Sequence, residues 1–237
     1  MSLQPAYLLH RRPYRETSAL VDLITLEHGL IRGVARGVAR PNSKSRSNLQ
    51  PFTPLHVSWR GERDLKTLTL IESTKAGIML AGEGLLCGFY ANELLARCLP
   101  REFPVESVFA HYGALLEALK MPADRAPGLR RLEITLLEAL DAEPVFETEA
   151  GQSLSSQQTY MYHTASRRFI TASDHVQGLD GRQLRRLAMG EWESPVVARE
   201  ARWLLRQALL PYIGDKPLKS RALLMSLIEK RRRQSLS

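Results

Sequence analysis

Cysteine is nearly absent from this chain of 237 residues, in which only Cys87 and Cys98 occur. Two isolated cysteines cannot form a four-cysteine zinc site. Both lie in an apolar, helix-like stretch, which favours free thiols packed as small hydrophobic groups in a reducing cytosol over a disulfide. We therefore expect no metal ion, and the sequence indicates no cofactor.

Long apolar runs are absent as well. No segment approaches the roughly 18 consecutive apolar residues of a membrane-spanning helix. The first fifteen residues have neither the apolar centre nor the small-residue cleavage site of a secretory signal. The sequence therefore predicts a cytoplasmic protein with no membrane partner, although binding of the basic terminal helix to an anionic membrane surface stays open as an alternative.

The motifs of catalysis are missing too. The chain has no HExxH, GxSxG, P-loop or paired CxxC motif. Its six histidines are dispersed, with no spacing typical of metal ligands. We expect a protein without catalytic activity, the alternative being an enzyme whose site is assembled from residues that no motif reveals.

Acidic residues are absent from residues 28–61, in a chain whose net charge is +8. The charge is uneven, at +6 over residues 1–75, −6 over 76–150 and +8 over 151–237. A surface that follows a phosphate backbone requires cations without acids, because acids repel phosphate. This pattern favours nucleic-acid binding over a merely solvated basic face. The candidate contacts are Arg32, Arg36, Arg40, Lys44, Arg46, Arg60 and Lys66.

Hydrophobic periodicity divides the chain into two regions. Residues 1–77 contain short alternating runs, such as Leu55–Trp59 and Leu65–Ile71, separated by glycine-marked bends. They predict a small antiparallel β-barrel such as an OB-fold, and an SH3-like barrel would look similar. Residues 78–237 show mainly helical spacing, so the fold class is α+β. A polar segment at about 144–178 interrupts the helices and predicts a small inserted module with one hairpin.

The helical region carries its own basic clusters. Arg199, Arg202 and Arg206 fall on one helix face, because they are spaced i, i+3 and i+7. Further candidate contacts stand before the last helix at Lys216, Lys219 and Arg221. For all six residues, a solvated helix face is as consistent with the pattern as a binding surface.

An arginine pair occurs in the acidic middle of the chain. Arg130 and Arg131 stand beside Leu132 and Leu136, and this arrangement is typical of a groove that holds an acidic and hydrophobic peptide. An ion pair between Arg130 and Glu133, three residues later, explains the sequence equally well.

Several short motifs, each present once, follow one another along the chain in a characteristic order. They are Val34-Ala35-Arg36-Gly37, Leu49-Gln50-Pro51-Phe52-Thr53-Pro54-Leu55, Tyr90-Ala91-Asn92-Glu93-Leu94-Leu95, Leu129-Arg130-Arg131-Leu132-Glu133 and Leu210-Pro211-Tyr212-Ile213-Gly214-Asp215-Lys216-Pro217-Leu218-Lys219-Ser220-Arg221. Together they resemble the bacterial recombination mediator family RecO over nearly the whole length.

The resemblance implies an OB-fold followed by a helical domain with an inserted module. It implies binding of single- and double-stranded DNA, annealing of complementary strands, a nucleoid location, and action with RecR to load RecA onto DNA coated by single-strand-binding protein (SSB). The acidic SSB tail would dock on the helical domain, with Arg130 or Arg131 as a clamp. Lys216, Lys219 and Arg221 would contact either the DNA or the tail.

One departure from the family pattern affects the metal prediction. Many members carry four zinc-binding cysteines in the inserted segment, whereas residues 144–178 here contain none. We therefore expect a zinc-less module. The main alternative function is that of an RNA-binding OB-fold protein in translation or RNA processing.

Overall fold

The structure is a computed structural model that describes residues 3–40, 43–173, 178–223 and 226. Its N-terminal part is a closed barrel of five strands: β1 (Gln4–Tyr14), β2 (Ser18–Thr25), β3 (Gly29–Ala35), β4 (Pro54–Arg60) and β5 (Leu65–Ser73). The strand order is β1-β2-β3-β5-β4, and β4 pairs with β1 to close the barrel. The predicted OB-like barrel is thereby confirmed.

One strand pair departs from the predicted antiparallel pattern. β3 and β5 run parallel, with Arg32 opposite Leu65 and Val34 opposite Thr67. Parallel neighbours need a long crossover connection, which here is supplied by α1 (Lys44–Asn48) and β4. Leu49, which directly follows α1, is fully buried in the barrel core with Leu23 and Val57.

β1 is the strand that local periodicity did not predict. Its second half reads His10-Arg11-Arg12-Pro13, which carries little apolar alternation. The strand forms because it pairs with β2 along nearly its whole length and with β4 at its start. β4 is distant in sequence, and pairing with both partners, rather than the local pattern of β1, stabilises the strand.

The remainder of the chain is mainly helical, as predicted. Its helices are α2 (Gly82–Cys98), α3 (Glu106–Ala118), α4 (Pro122–Ala139), α5 (Gly181–Ala188) and α6 (Ala198–Ile213), and a 3-10 turn at Pro195–Val197 precedes α6. Residues 219–223 are also helical. Both cysteines lie on α2 and are free. Eleven residues of helix separate their Cα atoms by about 16 Å, too far for a disulfide.

A small three-stranded sheet interrupts the helices. It contains β6 (Thr159–His163), β7 (Arg168–Thr171) and β8 (Leu179–Asp180), so the predicted hairpin is confirmed. Its inner face places Tyr160 and Phe169, each at most 1% exposed, in the same apolar core as the helices. The Tyr160 hydroxyl accepts a hydrogen bond from the backbone of Ser155 at 2.8 Å. Apolar packing thus holds this sheet to the helical region.

The barrel and the helices share an extensive interface. The Tyr7 ring of β1 contacts Tyr112 of α3 edge-on, with 5.1 Å between ring centroids. Leu9, Ile24 and Leu30 of the barrel belong to the helical core rather than to the barrel interior. The helices therefore cover the part of the β1-β2-β3 outer face around Tyr7, Ile24 and Leu30, and the rest of this face remains open.

Candidate nucleic-acid interface

The open part of the barrel is framed by arginines. Neighbouring strands align Arg12 with Leu20, Leu20 with Val34, Val34 with Thr67 and Thr67 with Arg60. Directly opposed residues point to the same face of a sheet. Exposed Arg12 and Arg60 therefore flank a strip of partly buried Leu20, Val34 and Thr67 on the outside of the barrel.

Two loops extend this arginine frame at one end of the barrel. The β1–β2 loop and the loop after β3 contact each other where the backbone N–H of Ala39 donates to Thr17 O at 3.0 Å. Arg15 lies in the first loop, with its guanidinium 5.3 Å from the Tyr14 ring centroid. Arg36 and Arg40 lie exposed in the second loop. OB-folds bind oligonucleotides on strands β2 and β3 and on the β1–β2 and β4–β5 loops.

We call the exposed set the barrel surface: Arg12, Arg15, Arg36, Arg40, Arg46 and Arg60. Within the described residues, no carboxylate lies within 4.0 Å of any of these six guanidinium groups. Arg46 is on α1, and the side chain of Lys44 lies outside the described residues. Four of the six arginines were predicted. Arg12 and Arg15 were missed because β1 and the loop that follows it were not predicted, although the run His10-Arg11-Arg12-Pro13-Tyr14-Arg15 is basic in itself.

Arg32 and Lys66, two of the predicted contacts, are engaged elsewhere. Arg32 binds Asp22 through two hydrogen bonds, of 2.5 and 3.1 Å, and the contact raises the pKa of the Arg32 guanidinium. Lys66 is buried, because it shares the inward-facing side of β5 with Leu68. Its ammonium donates to the Glu102 carboxylate and to Glu62 O. We therefore leave Lys66 out of the barrel surface and treat Arg32 as already neutralised.

The helical basic residues occupy a second exposed area. Arg202 and Arg206 lie on the outer face of α6, opposite buried Ala201, Leu204 and Ala208. Arg199 is exposed but pairs with Glu200, whose side chain is 6% exposed. Lys216, Lys219 and Arg221 are also exposed. We call the set of Arg202, Arg206, Lys216, Lys219 and Arg221 the helical surface.

The segment that carries three of these cations is fixed to α2. The Glu93 carboxylate accepts hydrogen bonds from the backbone N–H groups of Lys219 and Ser220, at 3.0 and 2.9 Å, and from Ser220 Oγ. Burial alone would raise the pKa of Glu93, but these hydrogen bonds together with Arg97 lower it. Leu218 and Ser220 face inward, whereas Lys219 and Arg221 face solvent. The inward-facing residues therefore hold the segment in place, and the two cations remain exposed.

The prediction that Leu132 and Leu136 line a groove beside Arg130 and Arg131 is wrong. Leu132 and Leu136 are fully buried in the core of the helical region, so neither can line an open groove. The alternative ion pair is present, since Arg130 Nη2 lies 2.9 Å from a carboxylate oxygen of Glu133, and Glu133 also accepts a hydrogen bond from Tyr90. Arg131 alone is exposed, and it pairs with Glu193.

In the described part of the chain, no three His, Cys, Asp or Glu side chains form a group that could hold a metal ion. No described helix is long and apolar enough to cross a membrane. An open cavity of about 420 Å³ lies between the barrel and α2 and includes Phe52, Met79 and Phe89.

Known proteins resemble this chain over almost its full length. The family model described as "Recombination protein O N terminal" matches residues 1–76, and that described as "Recombination protein O C terminal" matches residues 79–222. The "DNA repair protein RecO" of Nitrosococcus oceani is 44% identical over 95% of this chain and 93% of its own length. The proteins of the same name from Alteromonas mediterranea and Pseudomonas aeruginosa are 41% and 38% identical, over 93% and 94% of this chain and 96% and 94% of their own lengths.

Proposed function

The chain belongs to the RecO family of DNA repair proteins, and from this premise we propose that it is a non-enzymatic mediator that binds single- and double-stranded DNA and anneals complementary strands. The observation that carries the proposal is the barrel surface, six exposed arginines without a carboxylate partner among the described residues. Such guanidinium groups release counterions when they meet phosphates, and this release drives binding.

Annealing follows from the presence of two basic areas on one molecule. A strand held on the barrel surface and another on the helical surface would repel each other less, because arginine and lysine screen their phosphates. We propose that this screening, rather than any bond-making step, is the contribution of the protein. Together with RecR it would then load RecA onto single-stranded DNA that SSB covers.

We further propose that the acidic tail of SSB docks on the helical region. Burial of Leu132 and Leu136 removes the apolar half of the expected groove, so the remaining candidates are cations. Arg131 would have to exchange Glu193 for the tail, whereas Lys216, Lys219 and Arg221 have no carboxylate partner in the described part of the chain. A labelled tail peptide titrated into Arg131→Ala and into Lys216→Ala/Lys219→Ala/Arg221→Ala decides between them.

The DNA-binding proposal is tested by the triple variant Arg36→Ala/Arg40→Ala/Arg46→Ala. A matched control, Arg101→Ala/Lys120→Ala/Arg182→Ala, removes the same charge from exposed positions outside both surfaces. We expect the first variant alone to bind single-stranded DNA more weakly. Its plot of log affinity against log salt should be flatter by about 2, since each lost phosphate contact on a single strand reduces the slope by about 0.7.

Unchanged affinity in a folded triple variant would remove the barrel surface from the proposal. Competition with an RNA oligonucleotide of the same sequence addresses the RNA-binding alternative. Preferential binding of RNA would favour that alternative, and equal or weaker binding of RNA would support a role on DNA.

A further inference from the structure

α6 carries an exposed tryptophan, Trp203, that is not part of the hydrophobic core. Trp203 is 41% exposed, while Ala201, Leu204, Leu205 and Ala208 of the same helix are buried. Single exposed apolar residues are common on protein surfaces. Trp203 differs from them in its setting, because Arg199 precedes it by one helical turn, Arg206 follows it by one turn and Arg202 adjoins it.

The surroundings of Trp203 carry an excess of positive charge, although Arg202 also interacts electrostatically with the buried carboxylate of Glu133. The only acid on α6 is Glu200, which is buried and bound to Arg199. In the part of the chain that the structure describes, Arg202 and Arg206 have no carboxylate within ion-pair distance. The pKa of Arg206 is lowered by partial burial and by the nearby positive charge of Arg221. An anion placed between Arg206 and Arg221 would relieve this repulsion.

Contacts from α2 hold the segment of Arg221 close to α6. The Glu93 carboxylate fixes the backbone of Lys219 and Ser220, and Arg97 Nη2 donates to Pro217 O at 3.2 Å. This anchoring holds the backbone beside Arg221, although Arg221 and Arg206 carry the same charge. The positive area around Trp203 is therefore assembled by the tertiary fold from two separate segments.

The shape of the area distinguishes two kinds of anionic partner. The apolar anchor of a peptide requires a concave pocket, and Trp203 lines neither of the cavities of about 420 and 240 Å³. A nucleic-acid base needs only a flat aromatic face with cations nearby for the flanking phosphates. An exposed indole among arginines satisfies this second requirement.

We propose that Trp203 stacks on an unpaired base of single-stranded DNA while Arg202 and Arg206 contact the flanking phosphates. This inference rests on the proposed DNA-binding function and adds to it a residue that recognises single strands. Stacking on Trp203 increases the affinity for a single strand, because its bases are free. It does not increase the affinity for a duplex, because the bases there are already paired and stacked.

The test compares three probes of equal length by fluorescence anisotropy: oligo-dT, an abasic single strand and a duplex. Trp203→Ala should bind oligo-dT about tenfold more weakly, with the abasic strand and the duplex bound as before. Trp203→Phe keeps an aromatic face and should retain most of the affinity. Phe103→Ala is the matched control, since Phe103 is 52% exposed but lies outside both basic surfaces.

Three outcomes would overturn the inference. The first is unchanged oligo-dT binding by Trp203→Ala. The second is an equal loss on all three probes, which would indicate a phosphate or structural effect. The third requires the labelled acidic tail peptide as a further probe: a loss of peptide binding by Trp203→Ala without a loss of oligo-dT binding would assign the area to a peptide. The barrel triple variant, which should weaken binding to all three probes, separates a failure of this inference from a failure of the proposed function.

Discussion

Lys66 and Glu102 form an ion pair across the boundary between the barrel and the helical region. The Lys66 ammonium lies 2.9 Å from the Glu102 carboxylate, and the Lys66 side chain is only 5% exposed whereas that of Glu102 is 44% exposed. The buried lysine lies on β5 and its partner on the segment between α2 and α3. This contact joins the barrel to the segment that precedes α3.

The first prediction separates this structural lysine from the DNA-binding cations. Lys66→Met keeps the aliphatic stem but removes the ammonium, and Glu102 is exposed enough to be hydrated when it loses its partner. We expect the free energy of unfolding to fall by about 1–2 kcal/mol, since a hydrogen bond to a charged group is lost. Affinity for DNA should stay unchanged, whereas Arg60→Met should show the reverse pattern. A marked loss of DNA affinity in Lys66→Met would restore Lys66 to the barrel surface.

The second prediction concerns Asn92 and the irregularity in β1. The register between β1 and β2 shifts between Leu8 and His10, and Asn92 Nδ2 donates to the carbonyl oxygens of Leu8 and Leu9 at 3.3 and 3.1 Å. Asn92→Leu should lower the free energy of unfolding by about 2–3 kcal/mol, because buried carbonyl groups lose their donor. Urea denaturation measures the change.

Tyr112→Phe provides a graded comparison for Asn92. The Tyr112 hydroxyl donates to Asn92 Oδ1 at 2.6 Å, so its removal leaves the contacts of Asn92 with β1 in place. A loss of about 1 kcal/mol is expected. A larger loss in Tyr112→Phe than in Asn92→Leu would show that the β1 carbonyl groups do not depend on Asn92.

The third prediction uses two glycines with similar backbone strain and different surroundings. Gly29 and Gly61 both have positive φ, at 61° and 96°. A Cβ atom on Gly29 would collide with the backbone carbonyl of Phe103, whereas one on Gly61 would meet no atom within 4 Å. Gly61→Ala should cost about 1 kcal/mol from backbone strain alone. Gly29→Ala should cost several times more, and similar thermal shifts in the two variants would contradict this difference.

Sequence patterns predicted the elements whose residues carry their own periodicity. β4, β5, α2 and α3 are of this kind, and so is the hairpin of β6 and β7. β1 could not be found in this way, because its second half is basic and its stability comes from pairing with β2 and β4. The predicted surface was incomplete for the same reason, since Arg12 lies opposite Leu20 only through that pairing.

Burial was the second property that the sequence could not supply. Lys66 follows Arg60 in a basic stretch, yet the alternation of β5 turns it inward. Leu132 and Leu136 stand beside two arginines, yet α4 places them in the core. In both cases the side chain was visible in the sequence, and the direction in which it points depends on strand register or on helix packing.

The fourth prediction follows from Glu133, a carboxylic acid buried at the contact of α2, α4 and α6. Burial raises its pKa above the usual value of 4.5, although Arg130, the Tyr90 hydroxyl and Arg202 act in the opposite direction. A raised pKa in the folded state means that the folded protein holds more protons than the unfolded chain between about pH 4.5 and the pKa of the folded state.

The stabilisation from protonated Glu133 is therefore fully present at low pH and is lost as the pH rises through the pKa of the folded state. Glu133→Gln removes this titration and leaves Arg130 without a carboxylate, so the variant should be less stable than the parent. Urea unfolding from pH 4.5 to 8 should show the gap between the two proteins narrowing as the pH increases, because only the parent must ionise a buried group. A gap that widens with pH would mean that the ion pair with Arg130 outweighs the desolvation of Glu133.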